Sequence, residues 1–139
     1  MPLVGGGGAG NIAGGSNPAG TGSTINYVGE FAYLHSGSVS VNNTDTTLGK
    51  FATQAEIIDS KIQFHYTEDA SDDMIYTVKI NNEIVVQYIV NGSKVGASDP
   101  DTPIYLVIPP FSTVEFIAKN GSSSTGRSNN VTLRGRLYA

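Results

Sequence analysis

From residue 25 onwards, apolar and polar residues alternate with a period of two, the signature of half-buried strands. In Lys61–Thr67, Ile62, Phe64 and Tyr66 share one face, and Lys61, Gln63, His65 and Thr67 share the other. Met74–Ile80 and Ile84–Val90 repeat the pattern around Asn81-Asn82-Glu83. Asparagine tolerates positive φ, so this junction predicts a tight hairpin turn.

Further strands are expected over Tyr27–Leu34, Ser38–Val41, Thr47–Ala52, Glu56–Asp59, Ile104–Ile108, Val114–Lys119 and Val131–Tyr138. Pro109-Pro110 has no amide hydrogen to donate, so the chain must turn there or cross between sheets. Asn120–Asn130 reads as a polar loop, and no window has helical periodicity. The expected fold is all-β: a single β-sandwich, jelly-roll-like, with an extended glycine-rich N-terminal arm. In Val131–Tyr138, the residues Val131, Leu133, Gly135 and Leu137 face one way, and Thr132, Arg134, Arg136 and Tyr138 the other. Pairing this strand with Val114–Lys119 would bring Glu115 near Arg134 or Arg136.

Composition divides the chain in two. Nine of its 17 glycines lie in residues 1–24, a stretch with no charged and no aromatic residue. Residues 25–139 carry all 20 charges. A domain of that length suits one core. Glycine loses the most conformational entropy on ordering, so the arm is expected to order only against a partner. Extended, it reaches roughly 80 Å. Its sizeable apolar anchors are Leu3, Val4, Ile12 and Pro18.

Several functional classes lose support. No stretch approaches the length of a transmembrane helix, and the N-terminus lacks the basic start of a signal peptide. The chain has no cysteine, and so no disulfide, thiolate metal site or cysteine nucleophile. A net charge of −4 with eight scattered basic residues makes a poor nucleic-acid binder. The GGGGAG run lacks the Lys-Ser/Thr of a phosphate loop. His35 and His65 show no spacing that implies a catalytic pair or a metal site. The acidic run Glu68–Asp73 lacks the EF-hand pattern and reads as a solvated turn, as does Asp99-Pro100-Asp101. No Gly-x-Ser-x-Gly occurs. Four glycosylation sequons, at Asn42, Asn91, Asn120 and Asn130, fall in Asn/Ser/Thr-rich loops. No cofactor and no metal are expected.

The order of features is a glycine-rich start, the Tyr27–Leu34 strand, the Tyr76–Val90 hairpin, the IPPFSTVEF segment at Ile108–Phe116 and a closing LRGRLY at Leu133–Tyr138. This order resembles small virion structural proteins of tailed bacteriophages, particularly marine and cyanobacterial ones, over roughly residues 20–139. Several of these are jelly-roll decoration (cement) proteins. The resemblance implies a homo-oligomer, often a trimer, made in the host cytoplasm and seated on the major capsid protein at the virion surface. It implies no catalytic residue. Its expected partners are the capsid protein and neighbouring copies, with neither nucleic acid nor membrane. The expected contact residues are Leu3, Val4, Asn11, Ile12 and Pro18 of the arm, with Tyr27 and Phe31 of the first strand. The alternative is a fibre-tip or knob module that binds a host glycan through the loops 68–73, 91–101 and 120–130.

Overall fold

The computed structural model describes residues 25–66, 72–90 and 103–138. These form ten strands: β1 Asn26–Val28, β2 Phe31–His35, β3 Val39–Val41, β4 Thr46–Ala52, β5 Ile57–Tyr66, β6 Met74–Ile80, β7 Glu83–Val90, β8 Ile104–Ile108, β9 Thr113–Asn120 and β10 Arg127–Tyr138. Every pairing is antiparallel. One sheet runs β1-β2-β10-β5-β8, with β3 also on β10; the other runs β4-β9-β6-β7.

β2 and β3 lie end to end along the same edge of β10. The register slips by one residue between Thr132↔His35 and Asn129↔Val39, and Gly37 takes a φ of 72° in that gap. The Ser36 hydroxyl oxygen accepts from the Val131 N–H at 2.9 Å and so keeps a ladder bond that the slip would break. With β2/β3 counted as one strand, the two sheets have the double Greek-key order of a jelly roll.

The core sits between the sheets. Ile58, Ile62, Phe64, Val131 and Leu133 meet Met74, Tyr76, Val78, Val114 and Phe116, all fully buried. The Phe64 and Tyr76 rings stack across the gap with centroids 4.6 Å apart. Alternation in the strands is therefore what divides inside from outside.

Several expectations hold and several change. The β6–β7 turn is the two-residue Asn81-Asn82 hairpin, with φ of 52° and 68° as a type I′ turn requires. Pro109-Pro110 carries the chain from β8 in one sheet to β9 in the other. The single strand expected over Tyr27–Leu34 is instead a hairpin, because Gly29 takes a φ of 60° and turns the chain between Val28 and Phe31. The two segments Glu56–Asp59 and Lys61–Thr67 fuse into β5. The inward Ser60 between them donates its hydroxyl to the Leu106 carbonyl at 2.6 Å, so a polar residue is kept inside the strand. The loop expected to reach Asn130 ends earlier, since β10 begins at Arg127 and buried Asn129 is bonded both to Arg127 within it and to Tyr76 across the core.

Val114–Lys119 and Val131–Tyr138 do not pair. β9 and β10 belong to opposite sheets, and residues 121–126 cross between them. Glu115 accepts a hydrogen bond from Thr47 on β4 at 2.5 Å instead of facing an arginine.

Candidate functional site

The outward residues of the six-stranded sheet line up in rows across its strands. One row is Asn26, Tyr33, Arg134, Lys61 and Tyr105; the next is Val28, Phe31, Arg136, Asp59 and Val107. Tyr138 extends the face beyond them, opposite Ile57. Rings therefore flank the cations over a surface about 19 Å wide, at roughly 4.8 Å per strand.

The apolar members are left uncovered by the described residues. Exposure runs from 45% for Phe31 and Tyr33 to 74% for Tyr105. Val28, Val107 and Tyr138 fall between these values. The Arg136 guanidinium carbon lies 5.6 Å from the Tyr138 ring centroid and 6.0 Å from that of Phe31. Stacking of this kind holds the cation in place while leaving its N–H donors outward. The nearest carboxylate, Glu30, is 4.0 Å from Arg136, and both side chains are more than half exposed, so that pair is weak.

A shallow depression of about 250 Å³ opens in this face between Phe31, Tyr33, Lys61, Arg134, Gly135 and Arg136. Its floor is Gly135. A Cβ on Gly135 would stand 2.7 Å from Ile58 Cγ2 and 2.8 Å from the Asp59 carbonyl oxygen. Glycine at this point of β10 therefore lets β5 approach closely beneath the site.

Of the residues expected to touch a partner, Phe31 lies on this face. Tyr27 does not: its side chain turns inward, packs on the core, and donates its hydroxyl to Glu56. Burial first, and the Glu56 carboxylate next, push the Tyr27 hydroxyl well above the usual phenol range. Leu3, Val4, Asn11, Ile12 and Pro18 lie outside the described residues. Tyr33, Tyr105, Arg134, Arg136 and Tyr138 were not among the expected contacts. Alternation already turned Arg134, Arg136 and Tyr138 outward; the order of the strands that brings all five together is not a local signal.

At the far end of the sandwich, polar groups hold a loop. The buried Asn120 side chain donates to Asp72 at 2.9 Å and to the Thr125 carbonyl at 3.0 Å. Its Oδ1 accepts from the N–H groups of Ser122 and Ser123 at 2.9 and 3.1 Å. Asp72 also receives Arg127 Nε at 2.7 Å and the Ser123 hydroxyl at 3.1 Å. Arg127, then Asn120, hold the Asp72 carboxyl below its ordinary range. These donors occupy the carboxylate with structural work. The rest of the acidic run, Glu68 to Ser71, lies outside the described residues, as does Asn91–Asp101 up to residue 102. Beside the loop is an open polar concavity of about 510 Å³, lined by Asn43, Lys119, Asn120 and Ser122 to Ser124 with Ile75.

Among the described residues, no group of three or more His, Asp or Glu is placed to hold a metal ion. His35 Nδ1 lies 3.1 Å from the Thr132 hydroxyl, at the rim of the aromatic face and away from His65 by the width of two strands. No described helix is long and apolar enough to cross a membrane.

No family model matches the chain, and no curated protein does. Among solved structures it is similar to the CBM35 module from Paenibacillus barcinonensis (11% identity, 93% of this chain and 91% of that one, TM-score 0.35). It is also similar to the VP2 subviral particle of infectious bursal disease virus (11% identity, 98% of this chain, TM-score 0.40), spanning only 37% of that chain. A third is the family 35 carbohydrate binding module from Clostridium thermocellum (12% identity, 87% and 88% covered, TM-score 0.36).

Proposed function

We propose that this chain is a virion structural protein of the decoration type. It binds the outside of the major capsid shell of a tailed bacteriophage and stabilises it, without catalysing a reaction. The supporting observation is the character of the exposed surface. A jelly roll presents a broad aromatic and cationic face suited to protein docking, and the buried amides of Asn120 and Asn129 are engaged in structural bonds. Tyr and Arg are the residues that carry the most energy at protein interfaces. The mechanism is thermodynamic: a protein that binds the mature shell better than the ruptured one stabilises it by mass action.

In this reading residues 1–24 attach the domain to the shell. The test is to add the purified chain, and the same chain lacking residues 1–24, to particles stripped of decoration. The full chain should occupy the lattice and raise the temperature at which particles rupture. Undiminished occupancy by the shortened chain would refute attachment through the arm.

A second reading is a glycan-binding module at a fibre tip. The polar concavity beside the loop 121–126 favours it, because its amide and hydroxyl groups suit sugar hydroxyls. A glycan array distinguishes the two: a specific hit lost on Asn43→Ala, with no binding to shells, selects the fibre reading.

A further inference from the structure

We infer that Arg134 and Lys61, with the rings on either side of them, form a carboxylate-recognition site, and that its ligand is an acidic side chain presented between apolar residues of a partner protein. This goes beyond the decoration reading, which names no ligand chemistry, and the chain alone tests it.

The first argument is the row itself. Across β2, β10, β5 and β8 it reads Tyr33, Arg134, Lys61 and Tyr105. Arg134 and Lys61 are direct cross-strand partners on one face. Like charges set opposite each other weaken a sheet. Among the described residues neither forms an ion pair. A cost to the fold with no structural return marks a functional position.

The second argument is where the counter-charges lie. Two carboxylates stand at this face, and both serve Arg136: Asp59 is its cross-strand partner, and Glu30 is 4.0 Å away. Three cations against two carboxylates leave one positive charge in excess, and the pairing puts that excess at Arg134 and Lys61. The depression of about 250 Å³ between Lys61, Arg134 and Arg136 has no carboxylate in its lining. A single anion completes it.

The third argument is what must carry the anion. Tyr33 and Tyr105, at the two ends of the row, are 45% and 74% exposed. A small soluble anion leaves both rings in water. A protein surface with apolar side chains on each side of a carboxylate covers them, excludes water and so strengthens the ion pairing at the centre. An apolar surface without the anion strands two cations away from water, which is costly. A run of closely spaced phosphates meets Asp59 and Glu30 beside its first contact, and that repulsion disfavours nucleic acid. The occupant is therefore apolar, anionic and apolar in the order that the row requires.

Three strand spacings separate Tyr33 from Tyr105, roughly 14 Å, which is also the span of alternate side chains along an extended pentapeptide. The probe is thus the blocked peptide leucyl-seryl-glutamyl-seryl-leucine, titrated into the full chain by NMR beside its glutaminyl counterpart. The glutamyl peptide should shift signals of Tyr33, Lys61, Arg134 and Tyr105 and saturate at about 1–10 mM, as suits a small weak ligand. The glutaminyl peptide should bind about ten-fold more weakly, the worth of one charged hydrogen bond. Lys61→Gln with Arg134→Gln should lose the preference for glutamyl while its thermal midpoint stays level or rises, because the repulsion is gone. Lys61→Met, which keeps the stem and removes the charge, should behave in the same direction. Equal binding of the two peptides overturns the inference, as does no shift from either. A midpoint lowered in both variants shows that the cations serve the fold and also overturns it. Tighter binding of glucuronate or of oligothymidylate than of the glutamyl peptide makes a saccharide or a nucleic acid the ligand, with the same consequence. None of these readouts involves shells, so the decoration reading is tested separately.

Discussion

The hydroxyl of Tyr76 on β6 donates to Oδ1 of Asn129 on β10, a buried hydrogen bond that ties one sheet to the other through the core. Asn129 is fully buried, and its amide nitrogen donates in turn to the Arg127 carbonyl at 3.1 Å. Tyr76 therefore both stacks on Phe64 and satisfies a polar group that has no access to water. Tyr76→Phe keeps the ring and removes the donor. It should destabilise the protein by about 1–3 kcal/mol, the cost of a buried acceptor left short of a partner. Denaturant unfolding measures this, and a variant as stable as the parent would show that the bond contributes nothing.

Asp72 gives the fold a defined acid sensitivity. Hydrogen bonds from Arg127 and then Asn120 depress its pKa in the folded chain. A depressed carboxyl contributes stability that is complete above its unfolded value, near pH 4, and lost as pH falls through the lower folded value. Asp72→Asn should therefore be less stable than the parent at pH 7, and the gap should close below pH 4. Unfolding curves taken across this range test the sign, and a gap that is constant from neutral to strongly acid pH contradicts it.

Gly135 should resist substitution. A single methyl group would collide with Ile58 and with the Asp59 backbone, neither of which is a flexible tip. Gly135→Ala should cost about 1–3 kcal/mol by overpacking. Hydrogen exchange should show the loss at the β5–β10 ladder, and wild-type protection there would mean that the strands separate freely.

Phe111 is a bulky residue at a φ of 53°, held there by its N–H bond to the Gln54 carbonyl at 2.7 Å. The residue is 73% exposed, so little packing repays the backbone. Left-handed backbone costs an L-residue roughly 1–2 kcal/mol, partly offset in glycine by entropy. Phe111→Gly should therefore gain up to about 1 kcal/mol, while Phe111→Ala should be close to neutral. If both variants lose stability in a thermal melt, the ring itself is stabilising.

Alternation made much of this fold legible. It placed Ile62, Phe64, Tyr76, Val78, Leu133 and their neighbours inward, and the Asn-Asn and Pro-Pro junctions marked a hairpin and a crossing between sheets. Period two says which face a residue takes but not which strand lies beside it. That is why a pairing that sets Glu115 near Arg134 or Arg136 looked open, and why the meeting of Tyr33, Arg134, Lys61 and Tyr105 in one row was not foreseen. Inward polar residues were the other blind spot. Ser60 and Asn129 interrupt an apolar pattern, yet each finds a partner only in the folded sheet. Tyr27 shows the same limit, because its place depends on Glu56, 29 residues away in the chain.

The central position of β10 has a temporal consequence. This strand follows the other nine in the chain, yet it alone joins β2 and β3 to β5. While a ribosome is still making the residues before Arg127, β2 has only β1 beside it and β3 has no neighbouring strand. Leu34 must wait for Leu133, almost 100 residues later. Closure of the six-stranded sheet is thus postponed until nearly the whole domain has emerged. Pairings this distant in sequence slow folding. The same strand that ends the wait also delivers Arg134 and Arg136, so the cationic face comes into being in the step that completes the barrel-like roll.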